Sequence, residues 1–152
     1  AFLRETVAAL AIDDIDAYDA LNRWYFARSH GTLVADIASR GNPAIRIVPV
    51  RFTLPDTALP PPIDEAVAAK WLAYARTSMA YLRAEGVRVA NLSWGLTARD
   101  IEDLLTVHQI EADAETRKRR AQAIFDTLFD GYSALIADAP EILFVIAAGN
   151  AN

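Results

Sequence analysis

Apolar residues along this chain are distributed in two ways, at helical steps of three and four or in short unbroken runs. Leu3, Val7 and Leu10, followed by Ile12, Ile15, Tyr18 and Leu21, recur at helical steps and predict an amphipathic helix within residues 1–28. Ser29-His30-Gly31-Thr32 then opens a run of small residues, Leu33-Val34-Ala35-Asp36-Ile37-Ala38, that reads as a separate helix. On that reading the His30 imidazole sits in a first helical turn, where a side chain can project into a cleft. Gly41-Asn42-Pro43 stops this element, and Ala44–Phe52 reads as a strand whose Pro49 belongs at an edge or a bulge, where no N–H is needed. Leu54–Pro62 holds four prolines and is predicted to be extended. A stripe of Ile63, Val67, Trp71, Tyr74 and Met79 follows, with Asp64 and Glu65 at the positive end of the helix dipole and Gly86 at the C-terminal cap.

Val87–Ala90 is a short apolar run ending in Asn91-Leu92-Ser93-Trp94-Gly95. Ile101, Leu104, Leu105 and His108 make an amphipathic turn or two, and Ala121, Ile124, Leu128, Tyr132, Leu135 and Ile136 a longer helix. The charged stretch Glu111–Arg120 between them reads as a surface insertion, within a connection spanning 96–140. Ile142–Ile146, branched and apolar, predicts a buried parallel strand that delivers Gly149 and Asn150 to the carboxyl edge of a sheet. The alternation of strand and helix predicts one α/β unit over residues 1–152. We expect three layers, with a mostly parallel sheet built from strands near 45–52, 87–93 and 142–147 and helices on both faces. In such sheets ligands bind at the carboxyl edge.

Three motifs reach that edge in order: Ser29-His30-Gly31-Thr32-Leu33-Val34-Ala35, Asn91-Leu92-Ser93-Trp94-Gly95 and Ala147-Ala148-Gly149-Asn150. They resemble, respectively, the His-Gly-Thr-His-Val-Ala-Gly, Asn-Met-Ser-Leu-Gly and Ala-Ala-Gly-Asn motifs of the subtilisin-like serine proteases. The resemblance covers most of residues 29–152 and implies the central part of a subtilase catalytic domain. It implies His30 as the general base and Asn150 as the side-chain donor to the oxyanion. Ser93, Trp94 and Gly95 would form an open strand edge to which a peptide adds, and Ala148 and Gly149 would line the pocket before the scissile bond. Trp94 stands where the family commonly has Leu, Leu33 where it has a second His, and Asp36 where it has Gly.

The triad is incomplete. Val7–Ile12 ending at Asp13 is a weak counterpart of the family's aspartate strand, and Asp13, Asp14, Asp16 and Asp19 read better as a solvated acidic face. Thr77-Ser78-Met79-Ala80 imitates the nucleophile motif but has Arg76 in place of Gly. It also precedes the Asn motif, against the family order Asp, His, Ser. Lacking a credible nucleophile, the chain is expected to be inactive alone against a casein-type substrate. A catalytically dead subtilase-fold binding module is the alternative. A nucleotide-binding α/β domain is a weaker one, since no Gly-rich phosphate loop follows any strand.

Composition narrows the partners. The chain has 152 residues, 53% of them apolar, enough for one core, and it contains no cysteine for a disulfide or a thiolate zinc site. A formal charge of −5 argues against nucleic acid, and no apolar run approaches the length of a membrane span. Arg117-Lys118-Arg119-Arg120 reads as a solvated face, and His108 lacks the neighbours a metal site needs. No cofactor is expected; the partner is a peptide or protein substrate, with a homodimer through an exposed sheet or cleft surface the other contact envisaged. Abundant alanine, and arginine in excess of lysine, suggest a GC-rich bacterial genome. The resemblance suggests a secreted or cell-envelope location, although no signal peptide is recognisable in the segment.

Overall fold

The computed structural model describes residues 15–51 and 60–148, together with Glu5, Ala8 and Ala9. It divides into two compact units, one of residues 1–47 and 52–59, the other of 48–51 and 60–152.

In the first unit a single helix, α1 (Ile15–Ser39), replaces the two separate elements expected. His30 therefore lies in a helix interior and not in a first turn. The physical reason is that nothing between Ile15 and Ser29 interrupts a helix. Ser29 does not cap one: its hydroxyl donates back to the Tyr25 carbonyl at 2.8 Å. Gly31 costs the helix only about 1 kcal/mol relative to alanine. The helix stops where the sequence predicts, with Gly41 in the left-handed region (φ 81°) and the Asn42 N–H returning to the Ser39 carbonyl. Residues 43–51 form no strand, which corrects the strand expected near 45–52. A strand exists only through its ladder, and Pro49 cannot donate; Ile45, Ile47 and Val50 stay exposed.

The second unit contains α2 (Glu65–Ala84), β1 (Val89–Leu92), α3 (Ala98–Val107), α4 (Ala114–Ala137) and β2 (Leu143–Ile146). Asp64 caps α2 by accepting from the Val67 N–H at 2.8 Å. At the other end Gly86 (φ 66°) closes a Schellman motif: its N–H bonds Arg83 O, and that of Val87 bonds Leu82 O, both at 3.0 Å. The helix α4 begins well before the stripe that announced it. Asp113 caps it by accepting from Thr116 N–H at 2.7 Å, so Ala114–Arg120, expected in a surface insertion, are its first two turns.

The strands β1 and β2 pair in parallel, Val89 with Leu143 through Leu92 with Ile146, and α3 and α4 form the crossover between them. Ala90 is buried and Leu92 and Phe144 partly so, packed with Met79 and Leu82 of α2, Leu135 of α4, and Ala139 and Ile142. A second cluster joins the helices through Ile63, Ala68, Leu72, Ile101, Leu105, Ala121, Ile124 and Leu128. The opposite sheet face is uncovered among the described residues: Val89, Leu143 and Val145 are 58%, 64% and 49% exposed. This unit is thus α/β, with a parallel strand pair and, among its described residues, helices on one face.

Within the basic run, Arg120 links two helices. Its guanidinium meets the Glu65 carboxylate in a fork, Nε–Oε1 2.9 Å and Nη2–Oε2 2.7 Å, and reaches Glu111 Oε1 at 3.0 Å, tying α4 to the start of α2. The hydrogen bond from Arg120 holds the Glu65 carboxyl below its ordinary value. Because the side chains of Arg120 and Glu65 are 28% and 63% exposed, water screens the pair, and Arg120→Met is expected to cost about 0.5–1 kcal/mol in urea unfolding at neutral pH. A carboxyl whose folded pKa is depressed stabilises above its unfolded pKa and loses that contribution as pH falls through the folded one. The difference between wild type and variant should therefore shrink below the ordinary carboxyl range.

Candidate active site

The two sequence segments expected to bind a peptide leave the sheet side by side. Leu92 and Ile146 are register partners, and the Ala147 N–H extends the ladder by donating to Leu92 O at 3.0 Å. Ser93-Trp94-Gly95 and Ala147-Ala148 thus emerge together at the carboxyl edge of β1 and β2. Hydrogen bonding and packing hold the first segment at both ends. Asn91 Nδ2 donates to Ser93 Oγ at 2.6 Å, and Leu96 packs into the helical cluster. Beyond it, Thr97 and Asp100 form a capping box at the start of α3. The Thr97 N–H donates to Asp100 Oδ2 at 2.7 Å, and the Asp100 N–H donates to Thr97 Oγ1 at 3.2 Å.

Trp94 is neither a core aromatic nor a bare surface ring. It meets Tyr132 of α4 edge-on, with centroids 5.4 Å apart and planes at 70°, and is 37% exposed. Apart from its chain neighbours, Gly95 has no described residue within 4 Å of where a Cβ would stand. Ala148 is exposed. Burial pushes the Tyr132 phenol up, with Tyr74 nearby adding to the shift, so Tyr132 is neutral near pH 7.

His30, in the first unit, is half-buried, its ring 4.6 Å from that of Phe26 at 34°. Asp36, where the family has Gly, is solvent-facing and paired with Arg40 at 2.6 Å. Gly149, Asn150 and Asp13 lie outside the described residues. The structure therefore brings together Ser93, Trp94, Gly95 and Ala148, while the approach of His30 to Asn150 remains an expectation of the motifs. Ser78 lies within α2, half-buried, beside Thr77, whose hydroxyl donates back to Ala73 O at 3.1 Å. His108 caps the end of α3, and its Nε2 donates to the Pro60 carbonyl at 2.8 Å. No group of three or more His, Cys, Asp or Glu able to hold a metal occurs among the described residues, and no helix among them is long and apolar enough to cross a membrane. Tyr132 is the site contributor that the sequence hides. It reads there as one more position on a helical stripe, and only the packing shows it against Trp94.

A parallel strand pair with a helical crossover, and with candidate binding segments at its carboxyl edge, defines an α/β protein of the kind that places its chemistry on that edge. A model of the subtilase family matches residues 11–152, and the chain belongs to that family, a family of serine peptidases. No curated protein and no solved structure matches the chain.

Proposed function

We propose that the chain forms the central part of a serine endopeptidase domain, in which His30 takes the proton from the serine nucleophile and the Asn150 carboxamide donates to the tetrahedral oxyanion. The substrate backbone lies along Ser93-Trp94-Gly95 as an added strand, and Ala148-Gly149 lines the pocket for the residue before the scissile bond. The observation that supports this reading is the joint exit of Ser93–Gly95 and Ala147-Ala148 from register-paired strands, side by side at the carboxyl edge of the pair. The nucleophile follows the Asn150 motif in the order Asp, His, Ser, and Ser78 has no part in it. A further helical layer covers the face bearing Val89, Leu143 and Val145, completing a three-layer domain.

Asn150→Leu tests the oxyanion assignment in the peptidase that carries this chain. Removing one such donor lowers kcat by about 10²–10³-fold and leaves KM nearly unchanged, because the bond tightens only as negative charge develops. An unaltered kcat would remove Asn150 from the mechanism.

A further inference from the structure

Trp94 occupies the middle of the proposed substrate strand, and a tryptophan there helps recognition only if its ring is held still. Backbone constraint alone does not achieve this. Asn91 holds Ser93 and Leu96 is anchored in the core, yet the indole still has two side-chain torsions between those fixed points. One ring packed against it, that of Tyr132, comes from a distant part of the chain. Tyr132, in the sixth turn of α4, is itself half-buried and packed against the helical cluster, and it presents its ring to the indole at 5.4 Å and 70°. That T-shaped contact covers part of the indole and leaves Trp94 37% exposed next to Gly95.

We infer that Tyr132 is a positioning residue for substrate selection: by holding Trp94, it makes the wall of the peptide-binding edge a fixed apolar surface that favours peptides with an aromatic or branched aliphatic side chain at the facing position. The inference rests on the proposed reading of Ser93–Gly95 as the substrate strand. The ring of Tyr132 carries the effect, not its hydroxyl, so Tyr132→Phe keeps the selection and Tyr132→Leu, of similar apolar character but without an aromatic edge, loses it.

The test uses two measurements on the same proteins. With 5-fluorotryptophan incorporated, the ¹⁹F resonance of Trp94, assigned by its loss in Trp94→Phe, is expected to shift or broaden in Tyr132→Leu and to stay in place in Tyr132→Phe. Binding and cleavage of a peptide set varied between Phe, Leu, Ala and Asp at each position are then compared. Tyr132→Leu should lower the preference for Phe or Leu over Ala by about three- to tenfold, through KM and with kcat held, and Tyr132→Phe should restore it. An unmoved Trp94 resonance, an unchanged preference in Tyr132→Leu, or a wild-type chain that binds no peptide would each overturn the inference. A protein that binds apolar peptides selectively through Tyr132 but cleaves none keeps the inference and loses the peptidase reading. A Tyr132→Leu protein that cleaves with unchanged preference does the reverse.

Discussion

His30→Ala is expected to lower kcat of the peptidase carrying this chain by about a millionfold, the loss that follows removal of the base from a Ser-His-Asp triad, while KM changes little. The expectation follows from what the imidazole does in the proposed chemistry. A serine hydroxyl is a weak nucleophile until a base accepts its proton, and the same base must return that proton to the leaving amine. The substitution is also clean structurally. His30 is half-buried, its ring contact is with Phe26 one turn earlier, and alanine favours the helix in which it stands. Folding, followed by circular dichroism, should therefore be little affected, which separates a chemical loss from a structural one. Ser78→Ala provides the control. That serine lies within α2 and its replacement should leave kcat at the wild-type level. Undiminished turnover in His30→Ala, or loss of turnover in Ser78→Ala, would overturn the assignment of roles.

Gly131→Val should produce the largest loss of stability. Gly131 lies in α4 where it crosses α2, and a Cβ there would stand 2.4 Å from Leu72 Cδ2, 2.9 Å from Cδ1 and 3.3 Å from Cγ. Leu72 is 8% exposed and belongs to the cluster that joins the helices, so it has little room to retreat. Valine adds two methyl groups beyond that Cβ. Overpacking of this kind costs about 2–3 kcal/mol, a fall in Tm of about 5–10 °C for a chain of this size. Leu72→Val in the same chain should recover part of the loss, so that the double variant is more stable than the sum of the single effects predicts. A Gly131→Val protein that melts with the wild type would show that the two helices do not approach so closely.

How far the sequence foretold this arrangement depends on whether the signal was local. The acidic pair Asp64-Glu65 at a helix start, Gly86 at its C-terminal cap and the apolar run leading to Ala147 are local signals, and each element appears where its residues place it. The family motifs are local too, which is why the family was legible. Three other features were not, the last two because they depend on tertiary contacts. Ser29 looks like a helix start, but the residues before it are equally good helix formers, and the longer helix wins. Ala44–Phe52 has strand composition, but residues 43–51 form no strand ladder among the described residues. Arg120 reads as solvated charge until α2 brings Glu65 to it. Tyr132 belongs to the same group, since no spacing rule connects it to Trp94.

The crossover between β1 and β2 has a kinetic consequence. Val89 and Leu143 are neighbours in space, yet the chain between them must be gathered before their ladder can close. Closing a loop of that length costs entropy before any strand pairing repays it, whereas α3 and α4, adjacent in sequence, meet across a short connection. The helical hairpin is thus expected to condense early and the strand pair to zip late, so the carboxyl edge on which a substrate would lie is among the last parts of this unit to acquire its shape.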